Sequence, residues 1–173
     1  MAEIIEGNAT HIPVIVDIAE ITWSATYGRI LTPEQMRYML DTIYAADTLL
    51  GVMTDGSQKF LLIKEKNGYA GFASYGKRQD EPGVFKLHKI YVLPNNQGKG
   101  YGKLLIDSVK QELVSQNVTA LDLNVNRYNP ALDFYKKLGF KVIREEDVPI
   151  GQYFMNDYVM RLELRGLDKD CRF

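Results

Sequence analysis

The chain has 173 residues, enough for a single domain spanning 1–173 with its own hydrophobic core. Its formal charge is −1, with two histidines and one cysteine, Cys171. That excludes an overall basic field for nucleic acid or anionic membrane, a disulfide framework and a structural zinc site.

The expected elements run as follows. A short strand around Glu3–Glu6 precedes a helix over about Thr10–Tyr27. In "LTPEQMRYMLDTIY", Thr32 is an N-cap, Pro33 suits the first helical position and Gln35 completes a capping box. Met36, Met39, Leu40, Ile43 and Tyr44 then repeat at helical spacing, which defines one apolar face. From Lys59 the period changes to that of strands. "KFLLIKEK" and "YAGFASYGK" flank Asn67-Gly68, a strong hairpin signal. "GVFKLHKIYVLP" is a third strand, ending at Pro94. The following helix places Tyr101, Leu105, Val109 and Leu113 on one row, and "TALDLNVN" is the next strand. Asn129 as cap, Pro130 as first residue and Gly139 as left-handed end bracket the short helix "PALDFYKKL". Strands at about Lys141–Asp147 and Met155–Leu164 close the chain. The order predicts one α/β (or α+β) domain, a mixed sheet with helices on both faces. The strand–helix–strand unit at 84–126 should pair its strands in parallel through a right-handed crossover.

No run of ~18 apolar residues occurs, so no membrane-spanning helix is expected. The N-terminus lacks the basic-then-apolar pattern of a signal peptide, and the expectation is a cytoplasmic protein.

Gly98, Gly100 and Gly102 sit between a strand and a helix. Such a turn leaves several N–H groups unpaired at the positive end of the helix dipole, a site suited to phosphate. Side chains on the turn would hold the anion away from the amides. The ATP-binding spacing fails, because Gln97 stands where its first glycine belongs and Leu104 where Ser or Thr belongs. The dinucleotide spacing fails because the third glycine comes one residue early.

Gln97-x-x-Gly100-x-Gly102 after "IYVLP" resembles the acyl-CoA pyrophosphate loop, [QR]-x-x-G-x-[GA], of the GNAT superfamily of N-acyltransferases. "NPALDFYKKLGF" resembles a later helix of the same family, and the matches cover roughly 60–165. "ITWSATYGRILTPEQMRYML" is more loosely similar to the bacterial polyamine-acetyltransferase branch.

The resemblance implies a mostly antiparallel sheet of six to seven strands, with a splayed parallel pair that admits acetyl-CoA. The pantetheine arm would bond to main chain at Ile90, Tyr91 and Val92. The pyrophosphate would lie on Gln97, Gly98, Lys99, Gly100, Tyr101, Gly102 and Lys103, the two lysines being equally natural as a solvated helix face. Asn129 is implied as a pantetheine contact, a helix cap or both. It stands two residues before Ala131, whereas the commonest family spacing puts Tyr128 at that place. No metal and no covalent enzyme intermediate are implied; an amine attacks the thioester directly.

Tyr135, in "FYKKLGF", is implied as the acid that protonates the leaving thiolate, against the alternative of simple packing. His88 alternates with Ile90 and Val92 and is the candidate base, with a water chain to solvent as the alternative. Trp23, Tyr27 and Tyr153 are the candidates for an aromatic acceptor wall. Asp157 and the pairs Asp80-Glu81 and Glu145-Glu146 are weighed as attractors of remote cations. The expected substrate is a small primary amine, with polyamines favoured and a peptide N-terminus or lysine as the alternative. A non-catalytic acyl-CoA-binding module and a nucleotide-binding protein are the contrasting classes. Dimers are common in the family, and sequence leaves the oligomeric state open.

Overall fold

The computed structural model describes residues 2–164; Cys171 and the tail "RGLDKDCRF" lie outside the described residues. The strands are β1 (Glu3–Glu6), β2 (Lys59–Glu65), β3 (Gly68–Lys77), β4 (Val84–Val92), β5 (Ala120–Asn126), β6 (Lys141–Ile150) and β7 (Tyr153–Glu163). The helices are α1 (Ile12–Tyr27), α2 (Pro33–Ile43), α3 (Ala46–Thr54), α4 (Tyr101–Val114) and α5 (Ala131–Lys137). One seven-stranded sheet has the order β1-β2-β3-β4-β5-β7-β6. Only β4 and β5 pair in parallel, as the crossover through α4 requires. No helix among the described residues is long and apolar enough to cross a membrane.

Most local signals hold. Thr32 caps α2 by accepting from the Gln35 N–H at 3.1 Å. Gly139 ends α5 at φ 99°. The hairpin turn falls one residue earlier than expected. Glu65 pairs with Gly68, so Lys66 and Asn67 form the loop and Gly68 carries the positive φ, 138°. The first helix also starts later, because Asn8 caps a single 3-10 turn, Ala9–His11, before α1. Helix α3 has no counterpart among the expected elements. Its burial rests chiefly on Leu49, and Gly51 weakens the local signal.

Each face of the sheet has its own core. Helices α4 and α5 bury Leu105, Val109, Leu113 and Tyr135 against Leu121, Leu123 and Val125 of β5. Helices α1–α3 bury Ile15, Trp23, Leu40 and Leu49 against Phe60, Leu62 and Phe72.

Lys89 lies inside the second core, 7% exposed. Its Nζ donates to Gln58 Oε1 at 2.7 Å and stands 5.9 and 5.7 Å from the ring centroids of Tyr44 and Phe60. No carboxylate pairs with it among the described residues. Burial first, then Lys86, lowers its pKa from 10.5 to about 8. A lowered base binds fewer protons folded than unfolded between those values. The destabilisation is therefore full below pH 8 and fades as pH rises toward 10.5, amounting to roughly 3 kcal/mol. We expect Lys89→Met to stabilise the fold at pH 7 by ~1–3 kcal/mol in urea unfolding and to flatten this alkaline rise. Equal or lower stability would mean that the Gln58 and aromatic contacts outweigh the burial of the charge.

Candidate active site

The site begins with a defect in strand pairing. Ser74 of β3 pairs with Lys89, but Tyr75 pairs with Leu87, so His88 is an extra residue, a β-bulge. Bulges bend a strand and increase its twist. On the other edge, β4 pairs with β5 only from Val84↔Ala120 to Leu87↔Leu123. Beyond Leu87 the two strands part, β4 staying with β3 as far as Val92 and β5 with β7 as far as Asn126. The splay thus starts where the bulge sits. It leaves an edge of β4 along Ile90, Tyr91 and Val92 with main-chain groups unpaired by β5.

A cleft of about 670 Å³ fills the gap. Its lining includes His88, Ile90 and Val92 on one side, Asn124 and Val125 on the other, and Tyr135 of α5. At one end lies the glycine turn. Gly98 and Gly100 hold φ 83° and 80°, and a Cβ on either would point into open space. None of the N–H groups from Gly98 to Lys103 donates a hydrogen bond among the described residues; the first helical bond is Leu104 N–H to the Gly100 carbonyl, 3.0 Å. These free amides at the head of α4 fit a pyrophosphate. Gly102 serves differently from its neighbours. Its missing Cβ would stand 3.0 Å from Phe134 Cζ, so it lets α5 approach α4.

The turn is braced from beneath by Glu65, which accepts from Tyr101 Oη at 2.7 Å and Asn96 Nδ2 at 3.0 Å. Gln97 Nε2 donates to the Val92 carbonyl at 3.3 Å, tying the loop to β4. Lys103 pairs with Asp107 at 2.6 Å, and Lys99 lies over the Tyr101 ring. Both lysines are exposed, as a solvated face would be.

Tyr135 lines the cleft and is buried, its ring packed edge-on to Phe134 and Phe140. Burial alone raises its pKa above the usual phenol value, so it stays protonated at neutral pH. His88 is open to the cleft but ringed by protein. Partial desolvation, then Lys86 and Lys89, pushes its pKa down, so the imidazole is neutral at pH 7.

The structure redistributes the other candidates. Tyr27 lines the cleft and accepts from Asn129 Nδ2 at 3.4 Å. Asn129 Oδ1 accepts from the Ala131 N–H at 2.9 Å, so both ends of this side chain already have protein partners. Helix α5 begins at Ala131 with Pro130 as its N-cap, one residue later than expected, and Asn129 accepts from its first N–H and ties the helix to α1. Trp23 does not line the cleft. It is 3% exposed and packs against Tyr27, Tyr44 and Tyr91, which corrects its placement in an acceptor wall. Tyr153 sits at the start of β7 against Tyr38, 5.4 Å between centroids, and is not in the cleft lining. Periodicity identified both as aromatic positions, but only packing shows which way each faces.

Asn124 was missed as a cleft residue. It stands on β5 on the face opposite Leu123 and Val125, together with Asp122 and Asn126. Polar alternation in "LDLNVN" was the available signal.

A splayed parallel pair with free amides at the head of the next helix is the arrangement that the resemblance to N-acyltransferases implies. The chain belongs to the GNAT acetyltransferase family: residues 29–162 match the family described as "Acetyltransferase (GNAT) domain". It is 27% identical to an uncharacterized N-acetyltransferase of Mycobacterium tuberculosis (strain ATCC 25618 / H37Rv) over 135 residues, 78% of this chain and 85% of that one. It is 35% identical over 88 residues to the [ribosomal protein bS18]-alanine N-acetyltransferase of Haemophilus influenzae, which covers 50% of this chain and 58% of that protein. Its fold matches that of the PaiA N-acetyltransferase of Thermoplasma acidophilum, solved in complex with coenzyme A. The TM-score is 0.81 at 23% identity, over 94% of this chain and 99% of that one.

Proposed function

We propose that this GNAT enzyme acetylates a small primary amine of the polyamine class, using acetyl-CoA. The observation that carries the acceptor side is the polar face of the sheet beyond the β4–β5 gap. Helix α1 packs on β3 and β4, whereas Asp122, Asn124, Asn126 and Asp157 occupy the same face of β5 and β7. An acceptor entering there meets the gap between β4 and β5 from the side opposite α4.

Bound acetyl-CoA supplies a thioester carbonyl as acyl donor. The amides from Gly98 to Lys103 hold its pyrophosphate, and the unpaired edge of β4 from Ile90 to Val92 aligns its arm as an added strand. A main-chain N–H on this edge polarises the carbonyl. Tyr135 holds a proton at the far side of the gap for the departing sulfur. His88, neutral and facing the cleft, orients the amine through its ring nitrogen. Its lowered pKa makes it a poor store for a proton, so the proton passes on to solvent.

That division of labour has a pH signature. We expect His88→Gln to lower the plateau of kcat/KM by ~10-fold while leaving the acid limb between about pH 6 and 9 in place, because that limb reports the acceptor's ammonium. A limb that shifts or disappears in the variant would make His88 the titrating base.

The deciding experiment is CoA-thiol release from acetyl-CoA across propane-1,3-diamine, spermidine, spermine, an alkyl monoamine and an alanine-terminated peptide. Preference for the polyamines supports the proposal. Preference for the peptide would favour the second reading, which the similarity to the H. influenzae enzyme motivates.

A further inference from the structure

Asp157 stands out on the polar face shared by β5 and β7, next to the cleft residue Asn124 but not itself in the cleft lining. It is 7% exposed, yet its Oδ1 has no hydrogen-bond partner among the described residues. Its Oδ2 accepts one long bond, 3.3 Å, from Asn124 Nδ2. A buried carboxylate with an oxygen unpaired is strongly unfavourable unless a cation or donor completes it.

The surrounding charged groups do not complete it. Arg127 gives its Nε to the Asp157 main-chain carbonyl at 3.2 Å and its Nη2 to Asp147 at 3.1 Å. Lys86 of β4 faces the same region without forming an ion pair with it, and Glu146 of β6 adds negative charge. The Tyr27 hydroxyl approaches from α1 and is engaged by Asn129. Desolvation raises the carboxyl's pKa, which agrees with a group lacking a partner.

Position adds the second observation. Asn124, which contacts Asp157, lines the gap where β4 and β5 part. Asp157 itself lies one strand further, on β7 opposite Asn126. A strand spacing is about 5 Å. Two nitrogens joined by three or four methylenes lie roughly 5–6 Å apart when extended.

We propose that Asp157 anchors a second cationic nitrogen of the acceptor, selecting short diamine units such as those of polyamines. This rests on the amine-acetyltransferase reading above. The second ammonium donates to Oδ1 in a charge-assisted hydrogen bond while the first nitrogen sits at the gap. A monoamine leaves the carboxylate unpaired and gains nothing from it.

The test compares wild type with Asp157→Asn at saturating acetyl-CoA, using propane-1,3-diamine, butane-1,4-diamine and n-butylamine. Wild type should prefer the diamines over n-butylamine by ~10–100-fold in kcat/KM. Asp157→Asn should abolish that preference, raising KM for the diamines far more than for n-butylamine. Asp157→Glu should restore part of the preference. If wild type acetylates all three amines without preference, the anchor is wrong and the polyamine preference goes with it, while acetylation of a small primary amine stands. An undiminished preference in a folded Asp157→Asn protein overturns the anchor equally. If wild type acetylates only the peptide, the amine reading falls and takes the anchor with it.

Discussion

Tyr135→Phe should lower kcat by ~10²–10³-fold while leaving acetyl-CoA affinity within about twofold. The phenol lines the cleft from α5, opposite the edge of β4 that the thioester arm would follow. No described side chain hydrogen-bonds its hydroxyl, so the substitution removes a donor without orphaning a partner, and the melting temperature should hold. Burial raises the phenol's pKa, which keeps it protonated through the neutral range and predicts no alkaline limb from this residue below about pH 10. An intermediate rise in KM with unchanged kcat would reassign it to packing against Phe134 and Phe140. Single-turnover measurements with preloaded acetyl-CoA separate the chemical step from product release.

Asp122→Ala should destabilise the fold by ~3–5 kcal/mol in urea unfolding. The carboxylate is 1% exposed and accepts from Arg161 Nε at 2.7 Å, Arg161 Nη2 at 2.9 Å and Arg78 Nη1 at 2.7 Å. Arg161 also reaches Glu81 at 2.7 Å, so the network joins β5 and β7 to the segment before β4. Removing the carboxylate leaves two guanidinium groups, each less than one-fifth exposed, facing one another with only their outer partners, Asp80 for Arg78 and Glu81 for Arg161. For a chain of this size each kcal/mol moves Tm by about 2–4 °C. Asp122 also sits opposite Lys86 in the pairing that ends at Leu87↔Leu123, where the splay begins. Activity should therefore fall with stability, through a higher KM for acetyl-CoA. If Asp122→Ala unfolds at the wild-type urea midpoint, the network contributes specificity of pairing and little energy.

Much of this molecule was legible before folding. Signals that act within a few residues survived intact: Thr32 as a cap, the left-handed end at Gly139, and the parallel crossover through α4. Each rests on local backbone geometry or on a handedness rule, which the chain carries wherever it goes. The glycine turn and "FYKKLGF" both border the cleft, the second having been marked by its resemblance to the family's motif.

Only tertiary pairing decided the rest. The bulge at His88 exists because β3 offers one residue where β4 brings two, and no alternation within β4 reveals that. Trp23 and Tyr153 are aromatic positions whose direction depends on which element lands above them. Gly102 reads as part of the anion turn until Phe134 arrives beside it. Lys89 and Asp157 look like ordinary strand charges; one enters an aromatic core and the other a closed corner of the sheet, because β4 is covered by α1 and β7 is inserted between β5 and β6. Sequence alone determined most of the elements and the glycine turn, since these follow from backbone conformation and spacing, and its motifs carried the resemblance to the family. The tertiary structure decided which charges lost their water, since desolvation belongs to the packed neighbourhood and not to the residue.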